Sequence, residues 1–175
     1  MNSLDILRSA IRDVPDFPKP GIVFKDITPV LSDPHLFKLA IQHFVQQCAG
    51  KNIDKVAGID ARGFLFGATV AHEMGIGFIP VRKKGKLPFT TISHSYALEY
   101  GEAEIEIHTD AVTHGERVVV IDDLLATGGT ASASIRLLEK LGARVVQAQF
   151  LIELAFLDGR ASLDPTPVLS LIKFD

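Results

Sequence analysis

The chain has 175 residues, of which 47% are hydrophobic and 22% are charged, values typical of one soluble globular domain, residues 1–175, with a core of ordinary size. Its net charge of −3 and its pI near 6.1 create no global positive field, which disfavours nucleic acid or an anionic membrane as the main partner. A single cysteine excludes an internal disulfide, and no apolar run approaches membrane-spanning length, so we expect a cytoplasmic protein.

Residues 1–32 predict a short helix followed by an irregular segment. Leu4, Leu7 and Ile11 recur at helical spacing, and the next proline ends the pattern. Prolines also flank the apolar run that follows, so this part should be ordered but lie outside the main sheet. Phe24 could offer a flat face to a planar base there, but composition alone favours a loop packed over the core.

The next part of the chain supplies scaffold elements. An apolar stripe in residues 36–48 predicts a helix. Residues 56–60 predict a buried strand, which enters a helix over residues 64–74 through a loop that contains Arg62. Two interpretations of Arg62 stay open. It can form an anion site, because it lies beside helical N–H groups, or it can form a structural ion pair. Residues 78–81 predict a further short strand.

Four cations follow within five positions: Arg82, Lys83, Lys84 and Lys86. Such a run is usually a solvated loop, and in this mildly acidic chain it is also the one concentrated patch able to neutralise a polyphosphate. We expect residues 82–102 to form a flexible lid, with the polar residues 89–95 at its tip.

Residues 96–101 and 103–108 alternate as two strands. In the second strand the isoleucines should face the core, and Glu104 and Glu106 should lie at the surface. Glu99 differs from them because it lies between two tyrosines beside the expected lid. Spacing alone does not identify it as a catalytic residue.

The strongest motif spans residues 118–130. Four β-branched residues predict a strand buried on both faces, which ends in Asp122 and Asp123. The apolar spacing that follows predicts a helix starting near Gly129. Two adjacent glycines between strand and helix let a ligand approach the backbone, where N–H groups and two threonine hydroxyls can bind a phosphate. The carboxylates suit vicinal hydroxyls or a magnesium shell, so the motif fits a phosphorylated sugar.

Two alternatives apply to parts of this motif. Paired acids at a strand end often cap a turn, and a Gly-Gly pair can simply make a tight corner. An apolar strand that ends in Asp-Asp also resembles the magnesium-binding strand of P-loop NTPases, but the chain has no Gly-x-x-x-x-Gly-Lys-Ser/Thr. The complete string is more specific than any of its parts.

The remaining pattern completes an α/β fold. Residues 144–154 and 167–174 predict two more strands. The alternation of strands and helices predicts a mostly parallel twisted sheet flanked by helices, with ligands bound at the carboxyl ends of the strands.

Five segments in this order resemble the type I phosphoribosyltransferase family, and within it the members that use adenine: residues 17–27, 61–64, 81–88, 95–101 and 122–130. The resemblance implies the fold of that family, with a flexible lid and a small irregular N-terminal hood. It implies a purine salvage reaction that converts adenine and 5-phosphoribosyl 1-pyrophosphate (PRPP) into AMP and pyrophosphate. It also implies a homodimer and Mg²⁺, held mainly through substrate and water.

The resemblance further implies a role for each matching residue. The loop for the 5′-phosphate comprises Ala126, Thr127, Gly128, Gly129 and Thr130. The residues for the ribose are Asp122 and Asp123. The residues for the pyrophosphate, to which a partner subunit could contribute, are Arg62, Arg82, Lys83 and Lys86. The residues for adenine are Val23, Phe24 and Lys25. Glu99 is the implied catalytic residue, and Tyr100 belongs to the lid.

Two other functions stay open on the sequence. The base could be hypoxanthine, guanine or xanthine, because backbone amides of unknown orientation can decide base choice. A nucleotide-sensing regulator without catalysis could keep the same fold, although the short opening helix and the tail after residue 167 leave little room for a basic DNA-binding extension.

Overall fold

The computed structural model describes residues 2–97 and 102–175, and the chain divides into two compact units with the boundary between Phe44 and Val45. The first unit contains α1 (Ser3–Ala10), β1 (Arg12–Pro15), β2 (Val23–Asp26), α2 (Thr28–Ser32) and most of α3 (Pro34–Cys48). The side chain of Asn2 caps α1 by accepting from the Asp5 N–H, and the Asp5 carboxylate accepts from the Asn2 N–H. The predicted opening helix is confirmed.

β1 and β2 form a separate antiparallel hairpin. As predicted, the proline-flanked segment lies outside the main sheet. It is not wholly irregular, however, because Val23 to Asp26 pair with the residues just after α1, which gives hydrogen-bond partners to the facing backbone edges of both short strands.

The second unit is an α/β domain. Its elements are β3 (Lys55–Ile59), α4 (Arg62–Met74), β4 (Gly77–Lys83), β5 (Thr91–Ala97), β6 (Glu102–His108), β7 (Arg117–Leu125), α5 (Gly129–Lys140), β8 (Arg144–Leu154), two 3₁₀ turns (Ala155–Leu157 and Gly159–Leu163) and β9 (Val168–Phe174). Within the described ranges, no helix has both the length and the apolar character needed to cross a bilayer.

The sheet has seven strands in the order β5-β6-β4-β3-β7-β8-β9. The five neighbouring strands β4, β3, β7, β8 and β9 are parallel to one another. β6 is antiparallel to both of its neighbours, β4 and β5. Alternate residues of β3 face opposite sides: Gly58 lies against α4, and Ala57 joins the core cluster that contains α5. The two helices therefore cover opposite faces, and the predicted mostly parallel α/β fold is confirmed.

The crossovers β3-α4-β4 and β7-α5-β8 leave the adjacent strands β3 and β7 in opposite directions along the sheet. At such a point the loops after the two strands separate and leave a crevice, which is where open α/β sheets bind ligands. The loop that contains Arg62 and the loop of residues 126–128 follow these two strands. Topology alone therefore brings the two predicted anion-binding segments together.

Three local predictions are wrong. Arg82 and Lys83 are the last residues of β4 and not part of a loop. Of residues 89–95, expected at the lid tip, Thr91 to Ser95 lie in β5, which pairs along its described length with β6, whereas the flexible lid itself stays a prediction. Glu106 is buried, with 3% of its surface exposed, because the turn after β4 folds over it.

Candidate active site

A small cavity at the carboxyl end of β7 brings the main motif together. It has a volume of about 90 Å³ and is lined by Asp122, by the end of β7 and by every residue from Ala126 to Ala131. β7 runs on to Leu125, so the strand continues two residues beyond Asp123, where the sequence pattern had predicted its end. The cavity opens beside the first turn of α5, where helical N–H groups lack intrahelical partners. An anion of phosphate size fits both this volume and this charge.

The shape of this phosphate loop, residues 126–130, depends on Gly128. Its φ of +82° lies in the left-handed region. A Cβ on Gly128 would overlap the carbonyl oxygen of Gly159 and lie 2.8 Å from Leu163 Cδ1. The loop therefore lies directly on the Gly159–Leu163 turn. In addition, the Ser162 hydroxyl donates to the Thr127 carbonyl across 2.9 Å.

That supporting turn is itself anchored by an ion pair whose acidic partner is buried. Arg160 donates from Nε and Nη2 to the two oxygens of Glu153, across 2.6 and 2.7 Å, and from Nη1 to the Val168 carbonyl. Burial alone would raise the pKa of Glu153, but hydrogen bonds from Arg160 and Ser170, together with the charges of Arg160 and Lys173, outweigh it and hold that pKa below its ordinary value. The phosphate loop therefore rests on a rigid base.

The two aspartates differ in their partners. Asp123 forms an ion pair with Arg62, with 2.9 Å between Oδ2 and Nε. Asp122 Oδ1 accepts from the Asp123 N–H and lies close to Gly63, which has no Cβ to displace it. Burial, and then the Asp123 carboxylate, raise the pKa of Asp122 well above its ordinary value. Burial also raises the pKa of Asp123, but the Arg62 guanidinium opposes this effect.

Asp122→Asn should therefore stabilise the protein while it weakens sugar binding. A group whose folded pKa is raised costs stability once it ionises, so the gain from Asn is present above the folded pKa and vanishes at pH below the ordinary carboxyl pKa. We expect a gain on the order of 1 kcal/mol, or about 2–4 °C in Tm, at pH 8.

Thermal unfolding at pH 8 and at pH 4 checks this prediction. Glu139→Gln, at an exposed position of α5, removes one negative charge without burial and is the control. A lower Tm for Asp122→Asn at pH 8 would contradict the assigned cost of ionisation.

The basic segment is ordered by two acidic side chains. Arg82 donates from Nε to Asp60 across 3.0 Å and from Nη1 to the Lys86 carbonyl. Glu106 Oε1 accepts from the N–H groups of Lys86 and Leu87, both at 2.9 Å. Lys83 and Lys86 are exposed at either end of this turn, which presents their charges to solvent.

Glu106→Gln should loosen this turn and destabilise the protein. Burial alone would raise the pKa of Glu106, but hydrogen bonds from the turn and from the Thr91 hydroxyl outweigh it and lower that pKa. The carboxylate therefore stabilises the fold above the ordinary glutamate pKa, and this contribution is lost as pH falls through the lower folded pKa. The expected loss is on the order of 1–2 kcal/mol at pH 7.

Urea unfolding measures that loss, with the exposed Glu102→Gln on the same strand as the matched control. The difference between Glu106→Gln and the wild type should shrink below about pH 4. Equal stability of the two variants at pH 7 would show that the carboxylate does not hold the turn.

The remaining predicted residues are placed as follows. Val23, Phe24 and Lys25 lie on β2 of the first unit. There the Phe24 ring makes an edge contact with Phe17, with 5.2 Å between ring centroids, and Lys25 pairs with Asp13. Glu99 and Tyr100 lie outside the described residues. Their roles, and those of the other predicted site residues, stay predictions.

Sequence reasoning missed two residues that contact the phosphate loop. Tyr96 accepts a hydrogen bond from the Thr130 hydroxyl, and Ser162 bonds the Thr127 carbonyl. Both partners are more than thirty positions away along the chain, so no local spacing could reveal them. Glu106 was placed at the surface because strand alternation cannot show that a turn will fold over it.

Comparison with known proteins agrees with this geometry. A family model described as "Phosphoribosyl transferase domain" matches residues 31–165. The chain is 55% identical over 175 residues to an adenine phosphoribosyltransferase of Methylobacterium sp. (strain 4-46), a match that covers 99% of this chain and 97% of that protein.

Two solved structures share the whole fold. The crystal structure of adenine phosphoribosyltransferase from Thermoanaerobacter pseudethanolicus ATCC 33223 has a TM-score of 0.95 at 54% identity and covers 98% of this chain and 99% of its own. The adenine phosphoribosyltransferase from Saccharomyces cerevisiae was solved in complex with D-2,5-dideoxy-2,5-imino-altritol 1,6-bisphosphate and adenine. Its TM-score is 0.92 at 40% identity, and the match covers 97% of this chain and 98% of the yeast chain. The chain therefore belongs to the type I phosphoribosyltransferase family, and within it to the adenine phosphoribosyltransferases.

Proposed function

We propose that this chain transfers the phosphoribosyl group of PRPP to adenine, forming AMP and pyrophosphate in purine salvage. The observation that carries the proposal is the cavity in which the Asp122 carboxylate and the phosphate loop face the same small space. One wall suits the hydroxyls of a sugar, and the other suits its terminal phosphate. The saturated-ring bisphosphate and adenine bound by the yeast relative are chemically similar to this pair of substrates.

Catalysis by these residues is electrostatic. The bond between C1 of the ribose and the pyrophosphate oxygen breaks while positive charge builds on the sugar ring. The carboxylates of the partly buried Asp122 and the buried Asp123, at the proposed ribose position, favour that charge. The cations Arg62, Arg82, Lys83 and Lys86 are proposed to stabilise the departing pyrophosphate. The electron pair of the broken bond leaves on the pyrophosphate, and N9 of adenine forms the new bond to C1.

Mg²⁺ is the proposed cofactor, and the two aspartates carry the hard oxygen atoms that this ion prefers. Bound Mg²⁺ would neutralise charge on the pyrophosphate group. Asp122 and Asp123 would hold its water shell while they bind the ribose, in keeping with an ion held mainly through substrate and water.

For adenine, the proposed residues are Val23, Phe24 and Lys25. Within the first unit, Val23 and Phe17 of this hairpin expose about half of their surface, an unusual exposure for large apolar side chains. Apolar side chains of this kind suit the flat faces of a purine. A cytoplasmic location stays a prediction from the sequence.

A homodimer is the proposed assembly. In the second unit, Leu65 on α4 and Phe89 after the basic turn are 45% and 63% exposed. Large apolar side chains at a surface are typical of regions that a partner covers. Light scattering at several concentrations should give twice the mass of the chain, and a monomer mass throughout would contradict the dimer.

The reaction is tested by adding PRPP and Mg²⁺ to the purified protein together with adenine, hypoxanthine, guanine or xanthine. We expect pyrophosphate release with adenine, and a kcat/KM at least about a hundredfold lower for each other base, because a site built to bind one set of ring donors and acceptors leaves them unpaired with another. A higher value with another purine would reassign the substrate. Release with none of them would favour the nucleotide-sensing alternative.

A further inference from the structure

Tyr96, on β5, brings its hydroxyl to the phosphate loop. The Thr130 hydroxyl donates to the Tyr96 hydroxyl oxygen, with 2.9 Å between Oγ1 and Oη. The Tyr96 ring packs against the core cluster that includes α5, and its backbone pairs with Ala103 of β6. Packing therefore holds the ring in place without help from the hydroxyl. The polar tip remains available for a second task.

The count of hydroxyl protons suggests what that task is. Thr130 has one hydroxyl proton, which points toward Tyr96 in the structure. When Thr130 turns this proton to a phosphate oxygen, Tyr96 can donate its own proton to Thr130 Oγ1 across the same distance. Both hydroxyls rotate, and no heavy atom has to move. The result is a chain of two hydrogen bonds that ends on an anion, an arrangement in which each bond strengthens the other.

We propose that Tyr96 is a positioning residue for the 5′-phosphate, acting through the Thr130 hydroxyl. Without the Tyr96 hydroxyl, Thr130 would keep its place in the loop but lose the partner that fixes its rotation. This inference rests on the proposed function, because it takes residues 126–130 as the site of the sugar phosphate. It adds a residue from a different strand to that site.

The expected effect is moderate. A cavity of about 370 Å³ lies beside Tyr96 and Gly129, with Arg136 and Ser162 on its wall, so water can reach the loop from that side. Water would replace part of the lost hydrogen bond in Tyr96→Phe. The lost bond joins two neutral hydroxyls, and a net loss of that kind corresponds to about a 3- to 10-fold weaker affinity.

Calorimetry with two probes isolates this role. Ribose 5-phosphate contains the 5′-phosphate, whereas pyrophosphate does not. Tyr96→Phe should lower the affinity for ribose 5-phosphate about 3- to 10-fold and leave the affinity for pyrophosphate within about twofold of the wild type. In the assay, KM for PRPP should rise by a similar factor with kcat nearly unchanged. Ser95→Ala removes an exposed hydroxyl from the adjacent residue and should change neither affinity.

Thr130→Ala separates the two proposals. If the wild type does not bind ribose 5-phosphate, or if Thr130→Ala binds it as tightly as the wild type, the phosphate-loop assignment fails and this inference fails with it. If Thr130→Ala weakens binding but Tyr96→Phe does not, the role of Tyr96 alone is overturned. Equal weakening of both probes by Tyr96→Phe would also overturn it, because a structural defect does not distinguish them. In the Thr130→Ala background, Tyr96→Phe should have no further effect.

Discussion

Gly128→Ala should lower kcat/KM for PRPP by about a hundredfold or more, chiefly through weaker binding. Two costs arise together at this position. An alanine at a φ of +82° costs about 1–2 kcal/mol of backbone strain. Its Cβ would also overlap the carbonyl oxygen of Gly159, which belongs to a turn anchored by the Arg160–Glu153 ion pair. Because that turn cannot yield easily, the loop must shift instead.

A shift of the loop is costly because its N–H groups act together. Each charge-assisted hydrogen bond to the phosphate is worth about 1.5–3 kcal/mol, so misplacing two of them accounts for the expected loss. Steady-state kinetics with varied PRPP measures it, and ribose 5-phosphate binding should weaken to the same extent.

Gly115→Ala is the matched control. Its φ of +88° imposes the same backbone cost, but no atom lies within 4 Å of the added Cβ. It should lower Tm by a few degrees and leave kcat/KM within about twofold. If Gly128→Ala behaved like this control, residues 126–130 would not be the phosphate site.

The elements of the scaffold could be predicted because their signals are local. The apolar stripe of α3, the buried valines of β7 and the left-handed glycine after α4 each report the structure of their own neighbourhood. The phosphate loop belongs to the same class, since its strand, glycines and helix are contiguous. In these segments propensity, pattern and turn chemistry agree with the fold.

What could not be predicted is the set of contacts between distant segments. The Tyr96 hydroxyl and the Ser162 hydroxyl reach the loop from β5 and from the turn before β9, and neither residue type is unusual in its own stretch. The prediction that Glu106 lies at the surface failed for the same reason. Period-2 alternation describes a strand face and says nothing about a turn, distant in sequence, that covers it.

The basic run shows how one pattern can have two structural outcomes. Arg82 lies at the end of a strand and pairs with Asp60, whereas Lys86 lies in the following turn. Composition identified the concentration of charge but not the strand that ends within it. The sheet decides the boundary, since Arg82 and Lys83 are the residues of β4 that pair with β6.

Glu99→Gln should lower kcat about a hundredfold while PRPP affinity stays near that of the wild type. The reason is the proton balance of the reaction. Adenine can attack C1 through N9 when its imidazole proton is on N7, and that proton must leave as the new bond forms. A carboxylate can accept it, whereas the isosteric amide cannot, and the loss of a general base typically costs about 10²–10⁴-fold. This role for Glu99 comes from the family resemblance.

Two measurements separate this role from a general defect near the expected lid. First, the reverse reaction, in which AMP and pyrophosphate form adenine and PRPP, should fall by the same factor, because the protonated Glu99 then returns the proton to N7. Second, Glu102→Gln removes an exposed carboxylate three positions away on β6 and should leave kcat within about twofold of the wild type. A Glu99→Gln variant with near-normal turnover in either direction would reject the proton transfer. Equal losses in both variants would instead assign the effect to the charge of the segment.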